Sequence, residues 1–267
     1  MTRTRAAGIA LVLLLSAGCA ARRPSIVAPA ITGPLPDADT LAGALQRQRD
    51  ARISVRTLAR MAYDGPEERR HAREVILAVR PARLRIEVLS PLGTVFVLTA
   101  ADGALAAYAR NEATLYRGRA SRTNLQRYAH VNLRVSDAVE LLLGTPPPRP
   151  GRNDVVSLDS GGTAIQWWRE LDAGAQVVWF NGALQPVATE DRDPDGHVVW
   201  RARFSDFSAA QADMPQHIEL EVPAEGRHLA LDLQDIEVNP TLADSWFSLP
   251  TPPGTTEVRL DDAEATS

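Results

Sequence analysis

The chain has 267 residues, 29 basic against 33 acidic, with 45% hydrophobic side chains and a single cysteine. Every basic residue is arginine and the net charge is negative, which argues against nucleic acid as a partner, since phosphate binding wants a basic surface. One cysteine excludes an internal disulfide, so stability must come from a hydrophobic core.

Arg3 and Arg5 precede an uncharged apolar run, Ala6 to Leu15, and the small residues Ser16, Ala17 and Gly18 lead into Cys19. That is the layout of a secretory signal. The run is ten residues, too short for a hydrocarbon core that needs about 20. Small residues before a cysteine resemble the lipobox of bacterial lipoproteins, with Ser16 where leucine is usual and Leu15 one step early. The resemblance implies that residues 1–18 are a signal peptide and that Cys19 carries a covalent diacylglycerol, with acylation such as palmitate at its new amino end. Ala20, in place of Asp, implies the outer membrane, with the domain facing the periplasm. The alternative is an ordinary secretory signal with an incidental thiol; an unpaired cysteine in a secreted chain favours one that is used. Loss of Arg3 and Arg5 leaves 27 basic residues against 33 acidic ones.

Residues 19–36 follow as a lipid-anchored tether with four prolines and no acidic residue. Seventeen extended residues reach at most about 55 Å, so the domain can stand off the membrane. The domain proper spans 37–255. Asp37 or Asp39 caps a first helix running to about Asp50, with Leu41, Ala44, Leu45 and Gln48 on one side. From Ile53 the period becomes two. Leu84, Ile86 and Val88 alternate with Arg85 and Glu87, and Ile218, Leu220 and Val222 alternate with Glu219 and Glu221. Leu229, Leu231 and Leu233 repeat the pattern. Such alternation marks half-buried strands. Turn signals at Asp102-Gly103, Asn181-Gly182 and Asp195-Gly196 separate runs of this kind. The spacing predicts 11 to 13 short strands in an antiparallel sandwich or barrel.

The stretch 121–150 breaks the β pattern. Val135, Ala138, Val139, Leu142 and Leu143 fall at helical spacing, Ser136 or Asp137 can cap the start, and Gly144 before Pro146 ends it. This helix is either a packed connection or a lid over a cavity; periodicity does not separate the two. Several strands are apolar on both faces: Val95 and Val97 against Phe96 and Leu98, Trp167 beside Trp168, and Val177 through Phe180. Either helices cover the second face or the sheet curls round an apolar cavity. The face of Leu84, Ile86 and Val88 suits core or cavity equally. The informative positions for a cavity and its lid are Phe96, Leu98, Val139, Leu142, Leu143, Trp167 and Trp179.

Three segments resemble LolB and its LolA-like relatives. "LRIEVLSPLGTVFVLTAADGALAAY" is similar to their paired strands flanking a Pro-Leu-Gly turn, "AVELLLGTP" to their lid helix, and "DIEVNPTLADSWFSLPTPPG" to their closing strand. The resemblance implies a mainly β fold with helices: a half-open antiparallel β-barrel of about 11 strands around a hydrophobic cavity with a helical lid. It implies acyl chains of other lipoproteins, or another apolar lipid, as ligand, a LolA-like periplasmic carrier as a partner, and the lipid at Cys19 as the sole attached group. In LolB a leucine matching Leu92 sits on a protruding loop that enters the membrane during transfer, so Pro91, Leu92 and Gly93 are the candidate transfer loop. The alternative is a LolA-like lipoprotein that binds another apolar ligand or acts as an envelope assembly module.

No catalytic signature competes with this reading. The five histidines, His71, His130, His197, His217 and His228, form no H-E-x-x-H pair, and no G-x-S-x-G elbow is present. Asp191, Asp193, Asp195 and Gly196 imitate the start of a calcium loop, but Ala202 stands where the bidentate Glu is required and Pro194 interrupts it, so a hairpin turn is expected. Residues 256–267 read as an acidic flexible tail.

Overall fold

The computed structural model describes residues 29–261. The expected signal peptide, Cys19 and most of the expected tether lie outside the described residues, as do residues 262–267. Among the described residues no helix is long and apolar enough to cross a membrane.

The Asp37 carboxylate accepts the Thr40 N–H at 2.8 Å and opens helix α1, Ala38–Ala51. Six strands follow as a meander: β1 Ser54–Asp64, β2 Arg69–Val79, β3 Arg83–Ser90, β4 Gly93–Ala101, β5 Ala104–Ala109 and β6 Thr114–Arg119. Each pairs antiparallel with the next. The chain then leaves the sheet through α2, Arg122–Ala129, and α3, Val135–Leu142. It re-enters at the far edge as β7 Asp154–Leu158, then returns through β8 Ile165–Leu171, β9 Gly174–Phe180, β10 Pro186–Arg192, β11 Val198–Ser208, β12 Met214–Val222 and β13 Arg227–Val238. β13 pairs antiparallel with β1, joining the two meanders. A last strand, β14 Thr256–Arg259, lies parallel to β6. The result is one open sheet of fourteen strands, with β14 at one edge and β7 at the other.

Three expectations are corrected here. The sheet has fourteen strands rather than about 11. The segment from residue 256 does not start as a loose tail: β14 pairs with β6, and Leu260 packs into the main core at 5% exposure. All four side chains of β14 are exposed, so there was no apolar alternation to read; backbone pairing holds it, with the Leu260 N–H donating to the Arg117 carbonyl at 2.8 Å. The segment 121–150 contains two helices, and α3 has Arg134 as N-cap with no side-chain cap bond. Neither Ser136 nor Asp137, the two expected caps, caps the helix, and Asp137 is turned to another use, described below.

The strands that are apolar on both faces find cover in three ways. The inner face of β1–β5 and β11–β13 packs against α2 and α3 in the main core. The face of β8 and β9 that carries Ile165, Trp167, Val178 and Phe180 is covered by α1 through Leu41 and Leu45. On the outer face of β2, Leu77 and Val79 pack under Phe247 and Leu242 of the returning chain end. Arg83 lies over the Phe247 ring at 5.3 Å, and Arg85 donates to the Trp246 carbonyl at 2.8 Å, so this cover is also tied down by polar contacts. Cavity and helical cover therefore both occur, on different parts of one sheet.

Candidate binding cavity

A cavity of about 1270 Å³ lies between the inner face of the sheet and the two connecting helices. Its wall follows from strand register. Ile86 stands opposite Ile76 on one side and Leu98 on the other, while Val88 stands opposite Glu74 and Phe96. Because alternate residues point the same way, Leu84, Ile86 and Val88 form one row of the wall. On the other side Ile218 pairs with Leu231 and Leu220 with Leu229, which supply the facing row. Ala138, Leu141 and Leu142 of α3 complete the apolar lining.

The two helices are held very differently. Seven of the eight residues of α3 are buried. Its Glu140 carboxylate accepts Arg80 Nη2 at 2.8 Å, Arg49 Nη2 at 2.9 Å and the Thr145 hydroxyl at 2.8 Å, tying α3 to α1 and to the β2–β3 turn. Arg52 completes the cluster; burial, then the like charge of Arg80, pushes it down to about 10. At the first turn Asp137 pairs with Arg149 at 2.8 Å, and Arg149 also reaches Asp191 at 3.0 Å. Helix α3 is thus a fixed wall.

Helix α2 spans the mouth. Tyr128 stacks on Phe96, at 6.2 Å, and lies tilted against Tyr116, at 5.3 Å. Just beyond the helix, His130 stacks on Tyr63 at 4.6 Å. Gln126 and Asn132 both donate to Glu225, each at 3.2 Å. These are aromatic contacts and single hydrogen bonds; the opposite side of α2 is packed, with Leu125 fully buried in the main core and the Asn124 amide donating to the Arg119 carbonyl at 2.9 Å and to Asp261 at 3.2 Å. The rim around α2 is charged, with Glu67, Glu68, Arg70 and Arg227 among its residues. Deeper, on β2, Glu74 faces the cavity at 7% exposure, and among the described residues it has no hydrogen-bond or ion-pair partner. Burial pushes its carboxyl up to about 7.

At the tip of the β3–β4 hairpin, Leu92 is 93% exposed. The Ser90 hydroxyl accepts the Leu92 N–H at 3.2 Å and donates to the Gly93 carbonyl at 2.9 Å, while Gly93 takes φ +109°, which favours glycine. The turn is internally braced, and the leucine is held out in water.

The sequence-derived positions separate as follows. Phe96 and Leu142 line the cavity. Leu98, Val139 and Leu143 are fully buried members of the core behind it. Trp167 and Trp179 lie on opposite faces of the sheet: Trp167 stands opposite Val178 and belongs to the α1 cluster, whereas Trp179 pairs with Gln166. Adjacent strand residues point to opposite faces, so these two tryptophans do not meet, and neither lines the cavity. Leu84, Ile86 and Val88, which suited core or cavity equally, line it. Pro91, Leu92 and Gly93 form the exposed turn. Glu74, Glu140 and Asp137 were overlooked. Glu74 is a charged residue in the apolar phase of β2, with Ala72 and Ile76, which is a readable signal; Asp137 and Glu140 fall on the polar side of the α3 pattern, so their burial is not readable from it.

The calcium-like stretch is a hairpin turn, in which Asp193 accepts the His197 N–H at 2.8 Å. Asp193, Asp195 and His197 do converge, at the surface, but Asp191 points away to Arg149. His217 sits between Asp232, at 2.8 Å, and Glu219, at 3.2 Å; burial opposes its protonation and the two carboxylates outweigh it, raising its pKa.

Solved structures share this architecture. A DUF1329 family protein from Desulfovibrio piger aligns with a TM-score of 0.56 at 14% identity, over 80% of this chain and 98% of that one. A LolA superfamily protein from Nitrosomonas europaea aligns at 0.54 and 14%, over 80% and 99%. A domain named for outer-membrane lipoprotein sorting, from Vibrio parahaemolyticus, aligns at 0.52 and 11%, over 78% and 94%. No family model and no curated protein matches the sequence. At these identities the likeness shows the fold, and that fold is LolA-like.

Proposed function

We propose that this LolA-like chain is a LolB-like carrier, a lipoprotein anchored at Cys19 to the outer membrane that takes up the acyl chains of other lipoproteins and passes them into that membrane. One observation carries the reading: the cavity of about 1270 Å³, walled by Leu84, Ile86, Val88, Phe96, Leu141 and Leu142. Pockets for ordinary small ligands run to about 300–1,000 Å³, so this volume suits long chains. The name of the Vibrio domain, which refers to outer-membrane lipoprotein sorting, points the same way. Carriage of this kind uses burial and release and calls on no catalytic group or metal. A LolA-like periplasmic protein is the natural donor of cargo.

In this reading α2 opens at the mouth and α3 stays fixed. Leu92 touches the bilayer at release. One leucine side chain entering the membrane gains at most about 1.5–3 kcal/mol, enough for transient contact. The lasting hold is the acylated Cys19.

The test has two parts. Lipid extracts of purified Cys19→Ala protein are analysed by mass spectrometry for acyl chains. The acylated protein is then offered a lipoprotein on a LolA-like carrier, with outer-membrane vesicles as acceptor. Uptake with transfer supports the carrier; uptake without transfer leaves a binder of some other apolar ligand. Correct sorting of outer-membrane lipoproteins in cells depleted of this protein would refute the carrier reading.

A further inference from the structure

Glu74 is out of place in the cavity. It projects from the same face of β2 as Ala72 and Ile76, and its strand neighbours in register are Val88 of β3 and Ala59 of β1. Glu74 as a whole is 7% exposed, and among the described residues its carboxyl has neither hydrogen bond nor ion pair. The other buried carboxylates nearby are not treated so: Glu140 has two arginines and a threonine, and Asp137 has Arg149. An unpartnered buried acid costs stability, and a protein that only stored alkane would do better with leucine there. Glu74 lies four residue steps along β2 from Arg70 at the rim, about 14 Å at the usual rise. The carboxyl therefore acts inside the apolar walls, where a donor brought by the ligand would complete it.

Resting on the carrier reading, we propose that Glu74 is a specificity residue, which selects amphiphiles presenting an N–H or O–H donor beside the hydrocarbon chain and rejects those ending in a carboxylate or phosphate. A donor satisfies the carboxyl; an anion would be placed against a like group in a low-dielectric site. The raised pKa of Glu74 fits the same picture, since burial with no counter-charge is its cause.

The experiment displaces a fluorescent apolar probe from the full-length Cys19→Ala protein at about pH 8. Four ligands of one chain length are compared: dodecylamine, N-dodecylacetamide, dodecyl methyl ether and dodecanoate. In the wild-type cavity the amine and the amide should each bind about tenfold or more tighter than the ether, the scale of a hydrogen bond to a charged group, and dodecanoate weakest. Glu74→Gln keeps an acceptor and loses the charge, so the amine should lose its advantage and the amide keep part of its own. Glu74→Leu should level amine, amide and ether, and it should fold at least as well as wild type because it removes a desolvated carboxyl. A preference for the amine alone narrows the ligand to a cation; a preference for the amide as well shows that a neutral donor suffices. Unchanged amine-to-ether and amide-to-ether ratios in a folded Glu74→Leu protein would overturn the inference while leaving the carrier intact. A wild-type protein that takes up none of the four sinks the carrier reading and this inference with it.

Discussion

Glu140→Gln tests whether α3 is a fixed wall. The side chain is 4% exposed and is the carboxylate that Arg80 and Arg49 share, at 2.8 and 2.9 Å. Glutamine keeps the shape and removes the charge. An amide nitrogen in the place of Oε2 cannot accept from Arg80 Nη2 or from the Thr145 hydroxyl, and Arg80, only 11% exposed, is left charged beside Arg52, whose pKa is already pushed down by burial and by Arg80 itself. Breaking a buried pair by removing one partner costs about 3–5 kcal/mol. For a domain of this size each kcal/mol moves Tm by about 2–4 °C, so the loss should be about 6–20 °C. Urea unfolding followed by tryptophan fluorescence measures it, with Ser136→Ala, at the one residue of α3 that is not buried, as a control expected within about 0.5 kcal/mol of wild type. Arg49→Gln should cost less than Glu140→Gln, because Arg49 is more exposed and Arg80 still neutralises the carboxylate. A Glu140→Gln loss below about 1 kcal/mol would mean that the cluster does not hold α3, and the division between fixed wall and movable cover would fail.

Leu142 and its neighbour Leu143 separate lining from core. Leu142→Gln should lower uptake of an apolar probe with a modest loss of stability, because its side chain borders the cavity; Leu143→Gln, at 0% exposure, should cost several kcal/mol and unfold part of the population, read by circular dichroism alongside binding. Leu92→Glu should leave folding and probe uptake unchanged and block transfer to outer-membrane vesicles; normal transfer by a folded variant would reject the loop's role. Glu74 also gives a pH signature. Its folded pKa of about 7 lies above the unfolded carboxyl value of 4.5, so the folded state binds the extra proton and stability falls as pH rises from about 4.5 to 7, by at most about 3 kcal/mol. Subtracting the Glu74→Gln stability profile from that of wild type should isolate this fall; parallel profiles would show that the carboxyl is not desolvated.

Much of this was written locally. The Asp37 cap and the apolar side of α1 were legible because a helix start is decided within four residues. The strands of β3, β12 and β13 were legible because alternation is a property of the backbone pleat. The braced turn at Ser90–Gly93 was equally local, and so was its exposed leucine. Strand β14 was not legible, since exposed side chains left no pattern and only the backbone of β6 defines it.

The sequence by itself determined which residues are apolar and in what phase, and hence that a β-rich domain with connecting helices would form around a large apolar interior. Only the tertiary structure decided which part of that interior is filled and which is empty. Leu98 and Leu84 stand in adjacent strands on the same inner face, yet one is packed behind the wall and the other borders the cavity. Trp167 and Trp179, in neighbouring strands, were sent to opposite faces by register. Glu140 and Glu74 carry the same charge and both end up buried, and the fold gave two arginines to one and none to the other. Phase is set by neighbours along the chain; whether a side chain meets a packed partner, a counter-charge or open space is set by segments far away in sequence, which no local pattern specifies.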